Sequence, residues 1–232
     1  MYHNQFFDPT IILVLIGAAI AMAASAKVKL AYGKYSKVQS STPLTGAQVA
    51  QKILSDAGIA NVQVREVQGT LTDHYDPRNK TVNLSPTIYR TNSIAAVSVA
   101  AHECGHAIQD AKEYSPLRVR ASLAPAAQIG STIAWPLIVL GLFIGGTNSI
   151  LLLNIGIIAF TLAIVFQIVT LPVEFNASKR ALHILNDSQI LSLEEMTGAK
   201  SMLSAAALTY VAAVASSLLQ LLRIILLANK RR

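Results

Sequence analysis

Charged residues occur along this chain in blocks, and the uncharged gaps between them are its first structural signal. Between Asp8 and Lys27 no residue is charged, and the run PTIILVLIGAAIAMAASA is long enough to cross a bilayer as a helix. A second gap runs from Ala121 to Val173, far too long for one crossing, with the turn-forming stretch GGTNS (Gly145 to Ser149) at its middle. This pattern predicts a helical hairpin with spans near 126–145 and 150–172. Pro125 and Pro136 are placed to start or kink the first span, and Gly141 and Gly145 offer a small-residue packing face. A hairpin buried in a soluble protein is the alternative, but little polar sequence remains to cover one. The last apolar stretch, about 203–228, is interrupted by Thr209, Ser216, Gln220 and Arg223, which fall on one helical face. That helix either lies along the membrane, lines a site, or crosses against the charge rule.

Between the first two gaps the pattern changes to that of a compact α+β unit, residues 42–122. TGAQVAQKILSDAG opens with a capping box, Thr45 and Gln48, and closes at Gly58. NVQVREV alternates like a strand. TLTDHYDPRNKTVNLS reads as a hairpin, with its turn in DPRNK and its return strand in TVNLS. Asn92 or Ser93 then caps a helix that begins near Ile94 and ends before Pro116.

Composition sharpens this picture. Of 232 residues, 53% are hydrophobic and only 13% charged, about half the usual share for a soluble domain. The net charge of +7 does not point to nucleic acid, because no basic stripe is interleaved with aromatics. Lys27, Lys29, Lys34 and Lys37 instead follow the first apolar run, where a signal peptide would carry its positive residues in front. They therefore predict a retained anchor, with the N-terminus outside and the following segment in the cytoplasm. The lone Cys104 excludes an intrachain disulfide framework.

The chemistry sits in AAHECGHAIQ, residues 100–109. On a helix, His102 and His106 project from one face a turn apart, so two imidazoles converge on one tetrahedral Zn²⁺. Glu103 lies about 100° round from His102, beside the ion, where a carboxylate can take a proton from water. Gly105 removes bulk near the site, and Cys104 points away from it. A chance match to His-Glu-x-x-His is expected in fewer than roughly one chain in a hundred of this length. The competing reading is two histidines satisfied by water or a carboxylate.

A catalytic zinc needs a third protein ligand. No third histidine follows at the next position of the long motif, which is Lys112, and Glu113 on the same helix cannot bend back. His183 is a lone histidine. Glu174, Glu194 and Glu195 remain, and two crossings would return the chain to the HECGH side at Glu174. Glu194 and Glu195, in SLEE, read as a solvated helix start.

AAHECGHAIQ followed, after a hydrophobic hairpin, by LPVEFNASKRAL resembles the integral-membrane zinc metallopeptidases of the HtpX and CAAX-prenyl-protease type. More closely, the chain resembles the YugP-type neutral zinc metallopeptidases of bacteria, over nearly its whole length. The resemblance implies a gluzincin site: His102 and His106 as ligands, Glu174 as third ligand, Glu103 as general base, and one Zn²⁺ per chain. The aspartate that follows the glutamate in the HtpX pattern is Ser178 here, so the contact orienting a ligand histidine is weaker or comes from elsewhere. The resemblance also implies that a polypeptide binds as an added strand at a sheet edge. Val82, Asn83 and Leu84 in TVNLS are the expected edge, an ordinary hairpin strand being the competing reading. Asp73 and His74 are candidates to serve the site, solvated turn residues being the competing reading. Tyr210 is a candidate donor to an oxyanion.

The expected fold is α+β, a small gluzincin-like zinc-peptidase domain embedded in a mainly helical membrane protein with about three to four membrane helices. The expected parts are an anchor (1–26), a cytoplasmic metallopeptidase domain (27–122), a transmembrane hairpin (123–173) and a third-ligand and C-terminal helical region (174–232). The expected function is hydrolysis of membrane-associated or unfolded polypeptides at the bilayer. The rival is a non-catalytic membrane scaffold with a structural metal, its open position filled by a residue such as His183. A transporter is disfavoured, since no charge lies within the hairpin spans.

Overall fold

The computed structural model describes residues 8–144 and 147–230. In chain order its elements are α1 (Ile11–Tyr35), α2 (Gly46–Asp56), β1 (Gln63–Glu66), β2 (His74–Asp76), β3 (Thr81–Leu84), α3 (Pro86–Arg90), α4 (Ile94–Ala111), α5 (Ser115–Phe143), α6 (Thr147–Asp187) and α7 (Leu193–Asn229). Helices α1, α5, α6 and α7 are each long and apolar enough to cross a membrane. The fold is therefore mainly helical with one small sheet.

The chain divides into two compact units. One holds the residues up to Ala24, Val119–Thr170 and those from Thr209 on. Within it the two hairpin helices approach closely at small residues: a Cβ on Gly141 would come within 2.7 Å of the Leu153 side chain. Helix α5 begins at Ser115, so Pro125 lies inside it instead of starting it, as does Pro136. Of the expected turn, Gly145 and Gly146 lie outside the described residues, and Asn148 and Ser149 already belong to α6.

The other unit holds Ser25–Arg118 and Leu171–Leu208, so it is discontinuous in sequence. Its local elements follow from their caps. Thr45 and Gln48 form the reciprocal capping box at the start of α2, and Gly58, at φ 69°, turns the chain after it. Ser93 accepts a hydrogen bond from the Ala96 amide and starts α4. Helix α4 is buried on nearly every side, through Ala96, Val97, Ala100, Ala101, Cys104 and Ala107. Its small side chains let neighbours approach its backbone. Val49 and Ile53 of α2, Leu84 of β3 and Leu185 of α6 complete that core. Each such aliphatic side chain contributes about 1.5–3 kcal/mol on burial.

The sheet has the order β1-β3-β2. β2 and β3 form the expected antiparallel hairpin, with His74 opposite Asn83 and Asp76 opposite Thr81. β1 pairs with β3 in parallel, Val64 opposite Val82. β3 is thus the central strand and buried along its length. This corrects the expectation that Val82, Asn83 and Leu84 form an edge: their backbone groups face a strand on each side, and no added strand can reach them. The edges are β1 and β2.

Candidate metal centre and active site

Helical periodicity stacks His102 over His106 on one face of α4, with ring centroids 4.8 Å apart and planes at 88°. Facing them from α6 is Glu174. Its Oε2 lies 3.4 Å from the His102 Nε2 and 3.5 Å from the His106 Nε2. The two helices come this close because residue 105 is glycine. A Cβ there would lie 2.7 Å from the Ala177 carbonyl oxygen and 3.2 Å from its Cα.

The three donor atoms fit a metal better than they fit one another. A charge-assisted hydrogen bond closes to about 2.7–2.9 Å. Two ligands held about 2.1 Å from a tetrahedral zinc stand about 3.4 Å apart, which is the separation found here. Two imidazoles and a carboxylate, all within 4.8 Å of one another, make the one such group among the described residues. Glu103 and Glu174 are both buried, at 7% and 3% exposure. Burying carboxylates costs several kcal/mol unless they are paired or coordinate a metal, and a dication balances two of them.

The far nitrogen of each ring is also held. Nδ1 of His106 lies 3.0 Å from Gln109 Oε1. The Gln109 amide donates to the Val173 carbonyl at 2.8 Å and to Asn176 Oδ1 at 3.0 Å. Because the amide nitrogen is committed to these acceptors, Oε1 is left to accept, which assigns the proton to Nδ1 of His106. Its Nε2 lone pair then faces Glu174. On the other ring, Nδ1 of His102 lies 3.2 Å from the Ser178 hydroxyl. Ser178 therefore stands in the place an aspartate would take, as a longer and uncharged contact.

Electrostatics agree with this geometry. Burial works to lower the proton affinity of His106, but the neighbouring carboxylates of Glu174 and Glu103 outweigh it and raise its pKa above the usual value. The same negative field attracts any cation. Burial, with the Glu103 charge adding, pushes the Cys104 thiol up. It is fully buried beside the Ala50 carbonyl, so it is no ligand.

Other residues singled out from the sequence have different roles. Asp73 accepts from the backbone and hydroxyl of Ser85, tying the β2 approach to the end of β3. His74 contacts Asn83 across the hairpin at 3.2 Å. Glu195 caps Ser192 and Ser41, and Glu194 is exposed. His183 is exposed and outside the ligand group. Tyr210 belongs to the other compact unit. Gln109 and Asn176 were not singled out in the sequence. The available signal was a glutamine three residues after His106 on an otherwise small and apolar helix face.

Residues 10–229 match a family described as "Putative neutral zinc metallopeptidase". A curated relative, "Putative membrane protease YugP" of Bacillus subtilis (strain 168), is 44% identical over 217 residues, covering 94% of this chain and 95% of its own. No solved structure matches.

Proposed function

The chain belongs to the neutral zinc metallopeptidase family, and from that premise we propose that it is a membrane-bound zinc endopeptidase of the gluzincin type. The observation that carries the reading is the pair of Nε2–Oε2 separations, 3.4 and 3.5 Å, joining His102, His106 and Glu174. These three residues would hold one zinc per chain. Zinc in that position supplies a Lewis acid that polarises a peptide carbonyl and makes water more acidic. Glu103, one position along α4 from His102, takes the proton from the attacking water and passes it to the leaving amine. Gln109 and Ser178 keep the ligand rings oriented throughout.

The four apolar helices and the relative's designation as a membrane protease mark a multi-pass membrane protein. Lys27, Lys29, Lys34 and Lys37 favour a cytoplasmic active site by the positive-inside rule. The substrate is an extended polypeptide, a membrane-protein tail or an unfolded segment, adding as a strand beside β2. That strand packs against α4 and pairs with β3 on one side alone among the described residues.

The test is Glu103→Gln in the full chain in detergent. This variant should bind zinc as the wild type does, yet cleave a quenched fluorescent unfolded-protein substrate about 10²–10⁴-fold more slowly. Cleavage at the wild-type rate would remove Glu103 from the chemistry.

A further inference from the structure

On α6, two residues beyond Glu174, Asn176 opens a cavity of about 490 Å³ that the metal site does not use. Its apolar wall is Ile53, Ile108 and Ile184, from α2, α4 and α6. Lys112, Lys179 and Arg180 also line it. Both the volume and the mixture of an apolar wall with a few convergent charges are those of a small-molecule site.

The lining carries three cations and one carboxylate. Asp56, the carboxylate in the lining, is held by Lys52 at 3.0 Å. None of Lys112, Lys179 and Arg180 forms an ion pair among the described residues. Lys112 is the C-cap of α4, where a cation is favoured by the helix dipole. That reason does not reach Lys179 and Arg180, which precede the last turn of α6. Lys112 and Lys179 are exposed and Arg180 is half-buried over the Tyr114 ring, and three like charges around one cavity set up a positive field that attracts a multiply charged anion. Arg180 adds a planar fork suited to phosphate oxygens.

Arg180 is also wired to the metal centre. Its Nε donates to Asn176 Oδ1 at 2.7 Å, and the same oxygen accepts from Gln109, which holds His106. We propose that this cavity binds a phosphate group, free or esterified to an apolar body, and that its occupant is sensed at the metal site through Arg180, Asn176 and Gln109. A phosphate gripping Arg180 immobilises Asn176, and through it the amide that orients His106. By reciprocity the ligand and the metal tighten each other's binding by the same factor. The binding half stands without the peptidase reading; the sensing half rests on the metal site proposed above.

Calorimetric titration of the full chain in detergent micelles tests both halves. One arm uses inorganic phosphate; the other uses micelles carrying short-chain phosphatidic acid, with phosphatidylcholine as the control. Saturable binding in the first arm identifies a free phosphate ligand, and binding in the second alone identifies a lipid headgroup. Either supports the site if Lys112→Ala/Lys179→Ala weakens it about tenfold or more. No binding in both arms, or binding untouched by the double variant, overturns it. Zinc affinity is then measured with and without the phosphate that bound. A several-fold tightening, lost in Arg180→Ala, is expected; zinc binding that is normal but indifferent to phosphate overturns the sensing half. Failure to bind zinc at all would strike the metal site and leave the cavity standing.

Discussion

Adding one methyl group at Gly105 tests whether the approach of α4 to α6 sets the metal site. In Gly105→Ala the new Cβ would sit 2.7 Å from the Ala177 carbonyl oxygen. Ordinary contact begins near 3.4 Å, so the helices must part by about 0.7 Å. Both obstacles are backbone atoms, and no side-chain rotation relieves the clash. Overpacking of this kind costs about 1–3 kcal/mol, of which alanine's better helix propensity returns roughly 1 kcal/mol. Stability therefore falls by no more than about 2 kcal/mol, and the protein should still fold. The ligand set fares worse. Separations of 3.4 and 3.5 Å already match a tetrahedral edge, and stretching them towards 4 Å leaves Glu174 out of reach of an ion held by both histidines. Losing good placement of one ligand should weaken zinc binding at least as much as losing an orienting contact, about 10–100-fold. Competition against a chelator measures that affinity, and thermal unfolding of metal-free protein measures stability separately. An alanine variant that binds zinc within about twofold of wild type would refute the argument, because the site would then tolerate helices set farther apart.

Two further expectations concern the groups around the site. Gln109→Leu removes the acceptor for His106 Nδ1 and strands the Val173 carbonyl, so zinc affinity should fall about tenfold or more. Gln109→Glu restores an acceptor but no donor, and should recover metal affinity while remaining less stable, read by chelator competition and thermal unfolding. Tyr75 donates to Asp110, and burial followed by that hydrogen bond raises its pKa above the ordinary 10.0. Its contribution is complete below about pH 10 and declines as pH rises above that, since the unfolded chain then loses a proton the folded one keeps. Denaturant unfolding should show wild type losing stability faster than Tyr75→Phe above pH 10; parallel curves would place the hydroxyl in a more solvated setting.

What could be read from the sequence was what depends on neighbours along the chain. The capping box at Thr45, the HECGH helix and the β2–β3 hairpin are specified by residues within one or two turns of each other. Their signals survive without any knowledge of the fold. Uncharged gaps likewise mark α1, α5 and α6 as long and apolar enough to cross a membrane, because length and lack of charge are local quantities, whereas α7, interrupted by Arg223, is left open on that ground. The position of Glu174 could be argued by counting crossings, although its distance to the histidines could not.

The sheet order could not be read, because β1 reaches β3 by a parallel pairing across an intervening strand, and alternation alone does not say which strand ends up central. Ser178 as the partner of His102, and Gln109 as the tie between His106 and α6, required two helices distant in sequence to be brought into contact. A glutamine on an alanine-rich helix carries no label for its partner until those backbones meet. Residue types and their spacing establish which side chains could ligate a metal and which helix presents two of them. That they meet a third, at what separation, and what lies behind them follows only from the folded arrangement, because those quantities depend on the close approach of α4 and α6 at Gly105.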